Sequence, residues 1–330
     1  MKELQAIIAH LCLGQTGSVL ATLVEVEGSS YRRPGVRMLI LEGRTRVGSI
    51  SGGCLEEDLL AQSARVTSTG RAELVVYDTS AENDALWGVG LGCHGVVRIL
   101  LEPLPARPDW AAVVAENLRT GRPTDLEVVW NNAPGPNGTR IAGAAPGPKA
   151  PGRIFADRID PPQLLTLFGA GDDAQPLARI AHELGWKVTV ADPRPALLTE
   201  SRFPWAAGLV LGPAEELVAR AAPPAASIVV VMTHHYLHDR PLLRHLLPLP
   251  LGYLGLLGPK KRAERLLADI AGEGFAVTDA MRARLRAPVG LDLGADSPEE
   301  IALSIIAEIA ATLTGRDGRP LRERIRPIHA

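Results

Sequence analysis

Leu164-Leu-Thr-Leu-Phe-Gly-Ala-Gly-Asp-Asp-Ala174 is the stretch that decides how this chain folds. A short apolar run enters a turn of small residues, and the helix-forming run Gln175–Leu184 follows at once. That is the G-x-G-x-x-G/A fingerprint in its required context of strand, turn and helix start. Gly169 makes the turn, Gly171 lets backbone N–H groups approach a phosphate, and Ala174 allows close packing of helix on strand. Gly185 ends the helix as a left-handed cap. The next strand ends at Asp192, 21 residues after Gly171, where a carboxylate meets ribose hydroxyls. Farther along, Lys187–Ala191, Ser227–Thr233 and Gly252–Leu257 read as strands alternating with helices. Residues 163–330 are therefore expected to form a Rossmann-like parallel-sheet domain.

Several groups gather at the sheet ends where ligands of such folds bind. Arg194 stands two residues past Asp192, where a guanidinium holds a phosphate. Asp172 and Asp173 suit helix capping and would repel a pyrophosphate, so the loop need not hold NAD(P). His234 and His238 have helical spacing compatible with shared metal ligation. No Glu follows the first His, so the zinc-protease motif is absent and capping or hydrogen-bonding roles are favoured. Asp239 is expected to cap a helix begun by Arg240-Pro241. Lys260, Lys261 and Arg262 follow a glycine turn at a helix start, which suits either an anion or a solvated basic face. Ser297-Pro-Glu-Glu300 is a capping box that opens a helix carrying Ile301, Ile305 and Ile309 on one face.

Upstream, residues 1–130 read as a mixed α/β domain without regular βαβ rhythm, so the whole chain is α/β. Its marked feature is Gly48-Ser-Ile-Ser-Gly-Gly-Cys-Leu-Glu56. Gly52 and Gly53 permit a tight turn and close ligand approach. Cys54 is expected in the first turn of the helix that follows, where free N–H groups and the helix dipole favour a thiolate. An isolated Cys is more often a small buried apolar residue. Here the glycines and the helix start argue for a nucleophile or metal ligand. A second cysteine, Cys93, lies in Gly88-Val-Gly-Leu-Gly-Cys-His-Gly95, four glycines in eight residues. Its neighbour His94 is open between a site residue and a surface one. Residues 131–162 are rich in Pro and Gly and are expected to be a linker, with a short strand near Arg153–Ile159.

Composition narrows the function classes. A net charge of −2 carries no basic stripe for nucleic acid. The longest apolar stretch, Leu246 to Gly258, is broken by Pro248 and Pro250, so no membrane span is expected. Three widely spaced cysteines make no disulfide framework and suit a reducing compartment. With no signal-like N-terminus, a cytoplasmic protein is expected.

Taken in order, these motifs resemble the XdhC/CoxI family of molybdenum hydroxylase accessory proteins. The resemblance rests on Gly28-Ser-Ser-Tyr-Arg-Arg-Pro-Gly35, Gly48–Glu56, Gly90-Leu-Gly-Cys-His-Gly95, Gly169–Ala174, Tyr253-Leu-Gly-Leu-Leu-Gly258 and Pro288-Val-Gly-Leu-Asp-Leu-Gly294. It covers nearly the whole chain outside the linker. It implies binding of molybdenum cofactor, support of its sulfuration with a cysteine desulfurase, and delivery to an apo molybdenum hydroxylase such as xanthine dehydrogenase or carbon monoxide dehydrogenase. A homodimer is a further expectation. Cys54 and Cys93 fall in the family's cysteine motifs, and Asp192 with Arg194 in its Asp-x-Arg position. Pro259 departs from the Ser usual there, which removes a hydroxyl and an N–H from any phosphate site. A soft thiolate such as Cys54 or Cys93 suits the metal end of the cofactor. The Gly169 loop or the Lys260 helix start suits its phosphate. The alternatives are an NAD(P)-dependent oxidoreductase using the Rossmann unit and a thiol-redox protein using the two cysteines. The first lacks a visible acid–base pair at a hydride-acceptor site. The second needs two sulfurs with no Cys-x-x-Cys to meet in the fold.

Overall fold

A computed structural model describes residues 1–28, 32–78, 95–130, 137–143 and 153–325. The chain divides between Pro161 and Pro162 into two units.

The first unit is built on a five-stranded antiparallel sheet in the order β3-β2-β1-β5-β4. Its strands are β1 (Val19–Gly28), β2 (Arg37–Ile40), β3 (Arg46–Gly48), β4 (Glu73–Asp78) and β5 (Gly95–Pro103). The central strand β1 is buried from Val19 to Val24, because helices or strands cover both faces. On one face, α2 (Glu56–Thr69) packs Leu59, Leu60 and Val66 against Leu23, Met38 and Ile99. On the other, α1 (Lys2–Leu13) and α3 (Asp109–Thr120) bring Ile7, Leu11, Trp110 and Val114 against Leu20 and Leu39. Alternation along β1 thus feeds two cores rather than a core and solvent.

The stretch expected as a linker corrects that expectation. β7 (Gly138–Ile141) and β8 (Arg153–Ile159) pair antiparallel with β6 (Thr124–Trp130) in a three-stranded sheet of the first unit. Two polar contacts, one buried and one half-buried, tie it to the larger sheet. Glu102 of β5 accepts from the Thr139 N–H and hydroxyl, both at 2.8 Å, and Arg37 of β2 pairs with Asp157 at 2.6 Å. Pro and Gly punctuate the segment without preventing short strands, since edge positions tolerate them.

The second unit holds a six-stranded parallel sheet, β11-β10-β9-β12-β13-β14. In chain order within the unit that is 3-2-1-4-5-6, the doubly wound Rossmann arrangement. The strands are β9 (Leu164–Phe168), β10 (Lys187–Asp192), β11 (Gly208–Leu211), β12 (Ile228–Val231), β13 (Tyr253–Leu256) and β14 (Leu285–Arg286). One face is covered by α4 (Ala174–Glu183) and α9 (Pro298–Thr314), which bury Leu177, Ala178, Ile305 and Ile309. The other is covered by α5 (Ala214–Ala221), α6 (Tyr236–Leu246) and α7 (Lys260–Gly272) through Leu217, Leu242, Leu246 and Leu266. A short helix, α8 (Asp279–Arg284), leads into β14. Ser297 and Glu300 form the expected capping box on α9. Gly169 is required where it stands: its φ is +126°, and a Cβ there would lie 2.4 Å from the Met232 carbonyl oxygen. The strand order changes direction between β9 and β12, which makes the β9–α4 loop the switch point where ligands of this fold bind. No helix among the described residues is long and apolar enough to cross a membrane.

Candidate functional site

The Cys54 loop is organised by a residue that no sequence motif singles out. Glu56 is 2% exposed and turns back beneath the loop. Its Oε1 accepts from the Ser49 hydroxyl (2.6 Å) and from the N–H groups of Ile50, Ser51 and Gly52 (2.9, 2.8 and 3.2 Å). Its Oε2 accepts from the Ser51 hydroxyl (2.6 Å) and the N–H groups of Gly53 and Leu55 (2.8 and 3.2 Å). Burial pushes this carboxyl upward. The hydroxyls of Ser49 and Ser51 and the backbone donors more than reverse that, and the group is held well below the usual carboxylate range. Ile50 and Leu55 are buried and anchor the two ends of the loop, while Gly52, Gly53 and Cys54 are exposed at its tip. Gly52 and Gly53 have φ of +88° and +134°, conformations that favour glycine.

Cys54 itself lies before the helix, not in its first turn: α2 begins at Glu56 with Leu55 as N-cap. The amides expected to favour a thiolate are already taken by Glu56. The Cys54 N–H is the exception between Ile50 and Leu55, with no partner among the described residues. An exposed free thiol and an adjacent free amide therefore stand together at the loop tip. Next along α2, Asp58 accepts from the Tyr77 hydroxyl of β4. Cys93 and His94 lie outside the described residues.

In the second unit, the switch-point loop is also closed by an internal carboxylate. Asp192 is fully buried and accepts from the Ala170 N–H at 2.6 Å, the Arg194 N–H at 2.8 Å, and Arg194 Nε and Nη2 at 2.8 and 2.7 Å. Burial raises its carboxyl, and the Arg194 side chain and the two amides outweigh that, leaving it below its ordinary value. The structure thus brings Gly169, Gly171, Asp192 and Arg194 together. Both oxygens of Asp192, the residue expected to meet ribose hydroxyls, are engaged within the protein.

The paired aspartates take partners too. Asp173 sits at the N-cap of α4 without capping it and pairs with His234 Nε2 at 2.9 Å. Asp172 pairs with Arg202 at 2.9 Å. His234 has φ +58°, a strained conformation for a side chain of this size at the end of the central strand β12. The rings of His235 and His238 lie 4.1 Å apart, and burial, with the charges of His235 and Arg194, lowers the affinity of His238 for a proton. Asp239 does not cap a helix at Arg240-Pro241, since α6 already starts at Tyr236. It is instead buried, accepting from the Thr233 hydroxyl and from Arg262 at the start of α7. Lys260 opens α7, exposed, two residues before Arg262. Around this rim the amides of Gly171, Asp172 and Asp173 have no partner among the described residues, and Arg194 is partly exposed. No group of three or more His, Cys, Asp or Glu side chains suited to a metal ion occurs among the described residues.

Residues 14–78 match the XdhC and CoxI family, and residues 165–309 match the XdhC Rossmann domain. A probable xanthine dehydrogenase subunit of Bacillus subtilis (strain 168) is 33% identical over 332 residues, spanning 94% of this chain and 98% of its own length. The molybdenum cofactor insertion chaperone PaoD of Escherichia coli (strain K12) is 24% identical, spanning 89% of this chain and 83% of its own. The crystal structure of a xanthine dehydrogenase from Bacillus halodurans superimposes with a TM-score of 0.79 at 30% identity, covering 97% of this chain and 98% of that one.

Proposed function

Since the chain belongs to the XdhC and CoxI family, we propose that it is a molybdenum cofactor chaperone serving a hydroxylase of the xanthine dehydrogenase type. The observation that carries this reading is the Cys54 loop: an exposed thiol on a rigid turn, with no metal cage around it among the described residues. Such a site suits a metal complex that brings most of its own ligands. Molybdenum cofactor does so through its dithiolene, and a thiolate is the protein ligand matched in softness to that centre. Cys54 takes the metal-facing role, Gly52 and Gly53 allow close approach, and Cys93 is the second thiol. In the second unit, taken by itself, the amides beyond Gly169 and Gly171, with Arg194 and Lys260, suit an anionic group, and Asp192 holds that loop in shape. The protein supports sulfuration with a cysteine desulfurase and hands its cargo to the apo-hydroxylase, acting in the cytoplasm as a homodimer, as a carrier more than a catalyst.

One observation favours a second reading. The 3-2-1-4-5-6 strand order is that of NAD(P)-dependent oxidoreductases. Against it stands Asp192, whose carboxylate has no oxygen left for a ribose. Ultrafiltration of the chain with anaerobically released molybdenum cofactor, read by pterin fluorescence with NADH and NADPH as competitors, separates the two. The chaperone reading expects stoichiometric pterin retention untouched by nucleotide. Absent retention, with tight nucleotide binding instead, would install the oxidoreductase.

A further inference from the structure

Three acids in a row, Glu56-Glu57-Asp58, open α2, and each has a different task. Glu57 pairs with Arg44 at 3.2 Å in solvent, and Asp58 receives the Tyr77 hydroxyl. Glu56 alone turns inward, and five backbone N–H groups and two hydroxyls converge on it. Convergent amides of this kind make an anion-binding nest. Here the nest is filled by the protein's own carboxylate, so a free phosphate or a substrate carboxylate finds no open donors there.

A buried, fully hydrogen-bonded carboxylate is costly to desolvate, and it is spent on an exposed tip. Between Ser51 and Cys54 the loop buries no apolar side chain. What the arrangement secures is the direction of one residue. The amides that would otherwise draw the Cys54 sulfur inward are occupied, leaving its thiol and its own N–H for an incoming group.

We propose that Glu56 is the positioning residue for Cys54, holding the loop amides so that an incoming metal-bound anionic group meets only the Cys54 sulfur and the Cys54 N–H. This rests on the reading of Cys54 as the cargo-binding thiol, and the test separates the two. Retention of molybdenum cofactor, released anaerobically from a donor hydroxylase, is measured for wild type, Cys54→Ala and Glu56→Gln. The pH profile of Cys54 alkylation by iodoacetamide is followed in parallel by peptide mass spectrometry. Gln keeps the size of Glu56 but aims an NH2 at donors. Retention is expected to fall at least about tenfold in Glu56→Gln, the size of one lost charge-assisted hydrogen bond. The alkylation midpoint is expected to move to lower pH, since amides are freed and a like charge is removed. A purely structural role would instead expose the cysteines generally, without lowering the Cys54 midpoint. Ser51→Ala, which removes one hydroxyl from the network, should move both readouts the same way by less, and it serves if Glu56→Gln fails to fold. Full retention in Glu56→Gln alongside loss in Cys54→Ala overturns the Glu56 proposal alone. Full retention in Cys54→Ala overturns the reading of Cys54 on which it rests.

Discussion

Replacing Asp192 by Asn tests whether the switch-point loop is held by an internal charge. The side chain is 0% exposed, whereas Arg194 is 38% exposed. Removing one partner from a wholly buried pair costs about 3–5 kcal/mol. A guanidinium with access to water recovers part of that, which points to the lower end. Asn keeps one acceptor oxygen but turns its NH2 toward either the Ala170 N–H or Arg194, and an orphaned buried donor costs about 1–3 kcal/mol. The two routes agree on about 3 kcal/mol. With a urea dependence of about 2 kcal/mol per molar, the midpoint of the second unit should fall by roughly 1.5 M. Peptide-resolved hydrogen exchange in urea reads the two units separately, so residues 1–161 act as the internal control. The sign with pH is also defined. Because the folded carboxyl is depressed, its contribution is present above the unfolded value of about 3.9 and is lost as pH falls. The difference between wild type and variant should therefore shrink in acid. A shift in the second unit below roughly 0.3 M, or an equal shift in both units, would mean that the Asp192 charge does not hold the loop.

Other expectations follow from the same geometry. Gly169→Ala should cost about 3 kcal/mol or more, since its Cβ meets the Met232 backbone. Gly53→Ala, with positive φ but no atom within 4 Å of the new Cβ, should cost about 1–2 kcal/mol in the same denaturation assay. Glu102 is pushed up by burial, against the donors of Thr139 and the charge of Arg37. Its contribution to stability is thus present below the unfolded value and lost as pH rises through the folded one. Glu102→Gln should then be less damaging at pH about 8 than at pH about 4, which melting temperatures across pH will check. Glu56 has the opposite sign, its contribution present above the unfolded value and lost only in stronger acid. Protection of the Glu56-bound amides of Ile50, Ser51, Gly52, Gly53 and Leu55 in hydrogen exchange should accordingly persist below pH about 4.

The Rossmann half is legible in the sequence because its signals are local. Apolar strands of fixed length, the Gly169 turn, Gly185 and the Ser297 box each carry their own chemistry over a few residues, and they agree with one another. The first unit is less legible. β8 shows in the sequence as a short strand near Arg153–Ile159, but its pairing with β6 and the strand at Gly138–Ile141 are hidden by the Pro- and Gly-rich surroundings. Helix propensity alone puts Cys54 inside the first turn, whereas Leu55 and Glu56 begin the helix and Cys54 precedes it. Glu56 stands in plain view two residues past Cys54. The signal that could have found it is a carboxylate next to several free amides, which no periodicity reports. Likewise the sequence marks the position of Asp192 but not its use, because Arg194 and the Ala170 N–H consume it only once the strands are paired.

Transfer is the most direct test of the chaperone account. The chain would be loaded with molybdenum cofactor under anaerobic conditions, freed of excess by gel filtration, and mixed with an apo-hydroxylase of the xanthine dehydrogenase type. Hydroxylase activity would be compared with that restored by the same amount of free cofactor. Reconstitution from the loaded chain should be faster and fuller, and this advantage should be lost when Cys54 and Cys93 are both replaced by Ala. Equal reconstitution from free cofactor, or undiminished transfer by the double variant, would contradict the chaperone account.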